Sequence, residues 1–281
     1  MILYKQISAL KAFISQNKQE GNSIGFVPTM GALHNGHISL ISNCKSQNQI
    51  TVCSIFVNPS QFNDPKDFEK YPVTLEKDID MLEKNGCDVL FLPSVNEIYP
   101  NGFSNPPHYD LGYLETVLEG QYRPGHFQGV CQVVHRLLDI VQPHNLYLGQ
   151  KDYQQCMVIK KLVELTKMEV QVVINPTLRE ADGLAMSSRN MRLSEKERQQ
   201  AVRISETLLF IQQHIKPGFT GDLKQRAVQY LTAEGFKVDY VEIATAASLE
   251  IIDSWDGNTP LVALAAAYLN EVRLIDNMLL N

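Results

Sequence analysis

Short apolar runs alternate with amphipathic stretches through the first half of the chain, a pattern typical of parallel strands joined by crossover helices. Strands are predicted at residues 23–28, 50–57, 88–92, 145–148 and 170–174. Helices are predicted between them at about residues 37–47, 74–85, 127–141 and 152–167. This order predicts an α/β fold with a doubly wound parallel sheet, which binds its ligands at the carboxyl ends of the strands.

The pattern changes near Asn175 and Pro176, where the alternation of strands and helices ends. A long helix is predicted from just after Ser194 to about residue 215, and Glu197 is placed to complete an S-x-x-E capping box. A helix at 223–234 and strands at 237–243, 261–268 and 272–275 complete a smaller α+β unit. Two domains are therefore predicted, residues 1–176 and residues 177–281.

Composition and charge narrow the class of protein. The chain has 281 residues, of which 44% are hydrophobic and 20% charged, as expected of a soluble globular protein. A net charge of −6 without a long Lys/Arg run argues against nucleic acid or an acidic membrane surface as partner. There is neither a signal-peptide pattern nor an apolar stretch of membrane-spanning length. Five cysteines without a C-x-x-C pair predict reduced core thiols and a cytoplasmic location.

The strongest local motif is PTMGALHNGH, residues 28–37, which follows the first predicted strand and opens a helix. Gly31 and Gly36 allow a tight turn, and His34 and His37 stand three residues apart at the helix start. Free backbone N–H groups and the helix dipole favour a phosphate there, and imidazoles add donors. A lone histidine is more often a packing residue, but the pair favours a functional site. H-x-G-H resembles the nucleotide-binding signature of nucleotidyltransferases and class I aminoacyl-tRNA synthetases.

Two further motifs carry weaker signals on their own. FVNPSQF, residues 56–62, follows another apolar strand, so Asn58 and Gln61 are expected at the same sheet edge as the histidines. In YRPGHFQGV, residues 122–130, a Pro-Gly turn precedes a helix with an apolar face. Arg123 and His126 are ligand contacts or loop-packing residues, and the sequence does not separate these alternatives.

LGQKDYQQ, residues 148–155, ends the fourth predicted strand and begins its helix. Gly149 permits a close backbone approach, Lys151 supplies a mobile cation, and Asp152 can accept a hydrogen bond from a ribose hydroxyl. An ordinary capped helix start explains the glycine and the aspartate but not the whole set.

DGLAMSSRN, residues 182–190, is a polar loop at the predicted domain junction. Ser187 and Ser188 can donate hydrogen bonds, and Arg189 offers a planar fork to phosphate oxygens. The loop is therefore a candidate for closing over a triphosphate, although as an isolated string it is a weak signal.

In this order and spacing, the five motifs resemble the motif set of the pantothenate synthetases. Shorter segments that also resemble the family include YPVTLEKDID from Tyr71 and RLIDN from Arg273 to Asn277. Departures are modest, with Leu148, His144 and Leu178 standing where the family more often has phenylalanine, aspartate and valine. The resemblance implies a Rossmann-like domain of the H-x-G-H nucleotidyltransferase type, a smaller C-terminal α+β lid domain, and a homodimer.

The resemblance also implies ATP-dependent ligation of pantoate to β-alanine through a pantoyl-adenylate, a step of pantothenate and coenzyme A biosynthesis. His34, His37, Lys151, Ser187, Ser188 and Arg189 would be catalytic, with His37 as proton donor. Gln61 and Gln155 would hold pantoate, and Gln61 would also contact β-alanine. The implied ATP-binding residues are Met30, Gly31, Ala32, Leu33, His34, Asn35, Gly36, His37, Gly149, Gln150, Lys151, Asp152, Leu178, Met186, Ser187, Ser188 and Arg189.

No carboxylate cluster has metal-ligand spacing, so Mg²⁺ is expected to be held mainly by the ATP phosphates, with Asp78 a weak helper candidate. The main alternative is a nucleotidyltransferase that acts on a phosphate ester. A class I tRNA synthetase is less favoured because no basic appendage is visible. A nucleotide-binding sensor without turnover is the alternative from another functional class.

Overall fold

A six-stranded parallel sheet forms the centre of the N-terminal part of the chain, with strand order β1-β4-β3-β2-β5-β6. The computed structural model describes residues 1–62, 68–102 and 106–281. The strands are β1 (Ile2–Tyr4), β2 (Ile24–Thr29), β3 (Ile50–Ile55), β4 (Val89–Phe91), β5 (Asn145–Gly149) and β6 (Gln171–Asn175). The predicted α/β class is confirmed, and β1 is an edge strand that the sequence analysis did not predict.

The topology places a switch point between β2 and β5. From β2 the chain moves outward through β3 to β4 and then returns to the other side of β2 as β5. Parallel pairing aligns Gly25 with Asn145 and Phe26 with Leu146. The carboxyl ends of β2 and β5 therefore lie side by side, which is where doubly wound sheets bind ligands.

The central strands β2 and β3 are buried along nearly their whole length, as expected of a sheet covered by helices. Leu33, Ile41, Leu90 and Tyr147 belong to the core cluster on one side. The helices are α1 (Ile7–Gln19), α2 (Asn35–Gln47), α3 (Leu75–Lys84), α4 (Val95–Ile98), α5 (Glu119–Tyr122), α6 (His126–Val141) and α7 (Tyr153–Thr166). The four predicted crossover helices correspond to α2, α3, α6 and α7.

His144, where the family more often has aspartate, joins β2 to the start of β5. Its Nδ1 accepts a hydrogen bond from Ile24 N at 2.8 Å, and its own N–H donates to the Ile24 carbonyl at 2.8 Å. An aspartate oxygen can accept the same N–H, so the departure preserves the local hydrogen bonding.

The chain divides into two compact units, residues 1–149 with 155–176, and residues 150–154 with 177–281. The second unit contains an antiparallel sheet of order β11-β10-β8, with β8 (Lys237–Thr245), β10 (Leu261–Leu269) and β11 (Val272–Leu279). Short strands β7 (Gly218–Phe219) and β9 (Ser254–Trp255) form a separate pair. Small side chains such as Ala263 and Ala265 on β10 belong to one core with Leu208 and Leu231 from the helices of this unit.

The single helix predicted after Ser194 is two helices, α8 (Glu195–Ala201) and α9 (Arg203–His214). The predicted capping box is present, since Ser194 Oγ accepts from Glu197 N and Glu197 accepts from Ser194 N at 2.7 Å. The break falls at Val202, whose backbone remains in the helical region. Its carbonyl accepts both from Glu206 N at 3.1 Å and from the Ser205 hydroxyl at 2.8 Å. Helix α10 (Gly221–Ala233) follows close to its predicted position.

All five cysteines are buried reduced thiols, as predicted. Burial raises the pKa of the Cys44 thiol to about 11 and the pKa values of Cys87 and Cys131 to about 12. These thiols stay protonated at neutral pH and act as small core residues. Among the described helices, none combines the length and the apolar character needed to cross a membrane.

Candidate active site

The turn between β2 and α2 begins with two consecutive left-handed residues. Gly31 has φ of 80° and Ala32 has φ of 49°. Gly31 N donates to Thr29 Oγ1 at 3.2 Å, which closes the turn on the end of β2. A residue larger than alanine would be strained at position 32, so this short Gly-Ala pair sets the direction in which α2 leaves the sheet.

The side chain of Asp78, on α3, is hydrogen-bonded to the backbone of this turn. Its carboxylate accepts hydrogen bonds from Ala32 N at 2.9 Å and from Leu33 N at 2.8 Å. Thr74 Oγ1 donates to the same carboxylate at 2.9 Å, and the Asp78 residue is only 1% exposed. The expectation of free backbone N–H groups for phosphate is therefore wrong at these positions, because a buried carboxylate already occupies them.

The two histidines form a capping box at the start of α2. His34 Nδ1 accepts from Gly36 N at 3.2 Å, and His37 Nδ1 accepts from His34 N at 3.3 Å. Their ring centroids are 4.1 Å apart. A neutral ring that accepts at Nδ1 carries its proton on Nε2. The sequence pattern predicts phosphate contacts for the histidines and does not indicate this capping role.

Gln61 lies beside the same turn. It ends a 3-10 helix, Pro59–Gln61, that follows β3, and its Nε2 donates to Met30 Sδ at 2.8 Å. The structure therefore brings together two residues that the sequence assigned to different ligands, Gln61 to pantoate and Met30 to ATP. Asn58, fully buried, has a structural role, donating to the Gly129 carbonyl at 3.2 Å.

The N-terminus of α6 packs against this 3-10 helix. His126 Nδ1 donates to the Gln61 carbonyl at 2.8 Å, and Arg123 Nη1 lies 3.0 Å from His126 Nε2. His126 is thus a loop-packing residue that fixes the backbone of Gln61. A Cβ on Gly129 would lie 2.5 Å from the Ser60 carbonyl oxygen, so glycine is required for this close approach.

A cavity of about 290 Å³ opens in the first unit at the carboxyl ends of β2, β3 and β4. Its lining includes Gly31 and Asp78, residues 55–57 and residues 92–95. The lining is mainly apolar, and the Asp78 oxygens are engaged by N–H groups. The cavity therefore suits a carbon skeleton better than a triphosphate. Gly149 at the end of β5 and the half-buried Gln155 on α7 also belong to this unit.

The remaining predicted residues belong to the second unit. Lys151 and its neighbours Gln150 and Asp152 form a 3-10 turn directly after β5. Met186 N donates to the Leu178 carbonyl at 3.1 Å, and Arg179 pairs with Ala185 in an isolated antiparallel bridge. The structure thus joins residue 178 to the start of the serine loop.

The serine loop itself continues as a 3-10 helix, Ser188–Arg192. The Ser187 side chain caps this helix by accepting from Arg189 N at 3.3 Å, and Ser188 is buried. Within residues 1–62, 68–102 and 106–281, no three His, Cys, Asp or Glu side chains are grouped as a metal site.

An H-x-G-H turn after the second strand of a doubly wound sheet defines a protein of the nucleotidyltransferase type. A family model described as pantoate–β-alanine ligase matches residues 2–279. The chain therefore belongs to the pantoate–β-alanine ligase family.

Relatives named pantothenate synthetase cover the whole chain. The protein from Cytophaga hutchinsonii is 44% identical over 283 residues, covering 100% of this chain and 99% of the relative. The protein from Acetivibrio thermocellus is 45% identical over 282 residues, covering 99% of each.

Crystal structures extend the likeness to the fold. Pantothenate synthetase from Thermus thermophilus has a TM-score of 0.90 at 38% identity, with 99% of both chains covered. Pantoate–β-alanine ligase from Francisella tularensis, complexed with beta-gamma ATP and β-alanine, has a TM-score of 0.84 at 39% identity. That match covers 99% of this chain and 97% of the Francisella chain.

Asp78→Ala tests the buried carboxylate. The substitution leaves the Ala32 and Leu33 N–H groups without their acceptor, and each unsatisfied buried donor costs about 1–3 kcal/mol. We expect the free energy of unfolding, measured by urea denaturation, to fall by about 3 kcal/mol. Asp80→Ala is the matched control, since Asp80 lies on the same helix in an exposed ion pair with Lys84. Equal effects of the two substitutions would contradict the assignment.

Gly129→Ala tests the contact between α6 and the 3-10 helix of Gln61. The added Cβ meets the Ser60 carbonyl and the Gln61 Cα, and overpacking of this kind typically costs about 1–3 kcal/mol. We expect a loss of unfolding free energy in that range and, in a crystal structure, displacement of residues 59–61. Asp139→Ala on the exposed face of the same helix should change neither. An unmoved 3-10 helix in Gly129→Ala would refute the argument.

Proposed function

We propose that this chain catalyses the ATP-dependent condensation of (R)-pantoate with β-alanine, giving pantothenate, AMP and diphosphate through a pantoyl-adenylate. One observation carries the proposal: the match to the pantoate–β-alanine ligase family spans residues 2–279, which include all five sequence motifs. The arrangement of Met30, Gln61 and the histidine pair in the first unit supports it. The division into a catalytic domain, residues 1–176, and a lid domain, residues 177–281, belongs to the same proposal.

In the first step, the pantoate carboxylate attacks the α-phosphorus of ATP and diphosphate leaves. Gln61 and Gln155 orient the carboxylate and the hydroxyls of pantoate. Their neutral amides do so without placing a full positive charge on the nucleophile, which would lower its reactivity. Gln61 is well suited to this role because its backbone is fixed by His126 and its side chain by Met30.

Charge that develops on the departing diphosphate is stabilised by side chains rather than by backbone amides. The Ala32 and Leu33 N–H groups are engaged by Asp78, and in this proposal His34 and His37 stabilise that charge instead. Lys151 and Arg189 supply positive charge in this proposal, and Ser187 and Ser188 supply hydroxyl donors. Donors fixed before the reaction need no reorganisation when the charge appears.

In the second step, the deprotonated amine of β-alanine attacks the carbonyl carbon of the mixed anhydride. The new carbon–nitrogen bond forms, the bond from that carbon to the phosphate oxygen breaks, and AMP leaves with the electron pair while the amine loses a proton. Gln61 contacts β-alanine in this proposal, as well as pantoate. Exclusion of water protects the anhydride between the two steps.

Mg²⁺ would be held mainly by the ATP phosphates and would supply positive charge there. Asp78 does not serve as its ligand in this proposal, since both carboxylate oxygens already accept N–H and O–H donors.

We also propose a homodimer, which sedimentation equilibrium can check. The cytoplasm is the proposed location, consistent with five reduced cysteines, and fractionation of cells can check it.

The proposed function predicts a specific product pattern. AMP and diphosphate should form together with pantothenate only when ATP, pantoate and β-alanine are all present. Diphosphate release that depends on a phosphate ester instead would identify a nucleotidyltransferase. Tight ATP binding without any product would identify a sensor, and either result would overturn the proposal.

Substitutions of His34 separate its capping role from its proposed catalytic role. His34→Ala removes the acceptor for the Gly36 N–H and should lower the free energy of unfolding by about 1 kcal/mol. His34→Asn retains a capping acceptor and should keep that stability. Both variants should release diphosphate about 10²–10³-fold more slowly, because each lacks the Nε2–H donor. Rapid-quench measurement of diphosphate from ATP and pantoate checks this.

His37→Gln provides the companion test, since glutamine at this position also completes a capping box. The variant should unfold like the unsubstituted protein and show a comparable loss in the same diphosphate assay. Near-normal turnover in His34→Asn or His37→Gln would remove that histidine from the proposed mechanism.

A further inference from the structure

The RLIDN segment near the C-terminus has no assigned role in the reaction. Its last two residues, Asp276 and Asn277, lie on β11 and are polar but buried, with exposed fractions of 4% and 2%. Buried polar side chains are costly unless they are fully hydrogen-bonded. Their partners therefore show what the segment stabilises.

Asn277 holds the 3-10 turn that carries Lys151. Its Nδ2 donates to the Gln150 carbonyl at 2.9 Å and to the Lys151 carbonyl at 2.8 Å. Its Oδ1 accepts from Gln150 Nε2 at 3.3 Å. One buried amide thus fixes two consecutive carbonyl groups, including that of the proposed cation, and three of its hydrogen-bonding positions are used in doing so.

Asp276 and Arg179 immobilise Asn277 in turn. Arg179 makes a two-bond fork to the Asp276 carboxylate, with Nη1–Oδ2 at 2.7 Å and Nη2–Oδ1 at 3.0 Å. Asp276 Oδ1 accepts from Asn277 N at 2.8 Å, and Arg179 Nη2 donates to the Asn277 carbonyl at 3.1 Å. Burial raises the pKa of the Asp276 carboxyl, and the neighbouring Arg179 guanidinium opposes that rise.

The same guanidinium reaches the loop that precedes the serines. Arg179 Nη1 donates to the Gly183 carbonyl at 3.0 Å, and Arg179 directly follows Leu178, one of the proposed ATP contacts. Hydrogen bonds therefore connect Asn277 both to the Lys151 turn and, through Arg179, to the segment before the serine loop. All of these residues belong to the second unit.

We propose that Asn277 is a positioning residue for the adenylation step, which holds the backbone of Lys151 where its ammonium group meets the departing diphosphate. This inference rests on the proposed function. Lysine has a long flexible side chain, so its placement depends on where its backbone is held. A displacement of about 1 Å in a reacting group can cost about 10²-fold in rate. Loss of the two Asn277 donors removes that restraint.

A double-mutant cycle between Asn277→Ala and Lys151→Ala tests the proposal. The measured quantity is the single-turnover rate of diphosphate release from ATP and pantoate without β-alanine. We expect Asn277→Ala to lower this rate about 10–100-fold in the unsubstituted protein. In the Lys151→Ala background we expect less than about a threefold further loss, because residues that act through one another are not additive.

Asn281→Ala is the matched control. Its amide also bonds to backbone groups, donating to the Thr259 carbonyl at 3.2 Å and accepting from Leu261 N at 2.8 Å, but it contacts none of the proposed ATP-binding residues. This variant should retain the unsubstituted rate. If Asn277→Ala does not fold, as judged by circular dichroism, Asn277→Leu fills a similar volume without a donor and replaces it in the cycle.

The outcomes are distinct. Independent, multiplicative losses from Asn277→Ala and Lys151→Ala, or a near-normal rate in Asn277→Ala, would overturn the positioning role. A matching loss in Asn281→Ala would show a general effect of the β-sheet and would also overturn it. Failure of the proposed function is recognised separately, since the unsubstituted protein would then release no diphosphate with pantoate.

Discussion

The bond between the Asp78 carboxylate and the turn after β2 is the interaction on which the candidate site depends. Ala32, the second of two successive left-handed residues, and Leu33 are buried, so their backbone N–H groups need an acceptor. A buried carboxylate satisfies both, and in return they stabilise its charge in an apolar surrounding. These hydrogen bonds restrain the turn from which α2 begins, and with it the two histidines at the start of α2.

This arrangement changes the chemistry expected at a phosphate site. Many nucleotide-binding loops present backbone N–H groups to the phosphates. Here the turn uses those groups internally, and the histidine Nδ1 atoms satisfy two more at the helix start. In a neutral ring this leaves the proton on Nε2. Because their Nδ1 atoms are held by the backbone, the rings are oriented before any ligand arrives, which is the condition for electrostatic catalysis.

Periodicity and motif order were sufficient to predict the parallel sheet, its four long crossover helices, and the family. The failures have physical reasons. Strand β1 has three residues, too few for a period to be read. The predicted long helix divides at Val202, a break that its sequence pattern does not mark. The N–H groups of the turn were expected to be free because their acceptor, Asp78, lies 46 residues from Ala32 in sequence.

The residues that restrain the candidate site share a property that explains why a sequence pattern does not reveal them. Asp78, His126 and Asn277 all bond to backbone atoms. Nearly every residue type has these atoms, so the sequence of the bonded segment does not reveal the interaction. Asn277 is 126 residues from the lysine whose carbonyl it holds. A motif therefore identifies the side chains that face a ligand, whereas their restraint comes from distant polar residues. Buried amides and carboxylates at strand ends and on neighbouring helices are the places to search for such restraint.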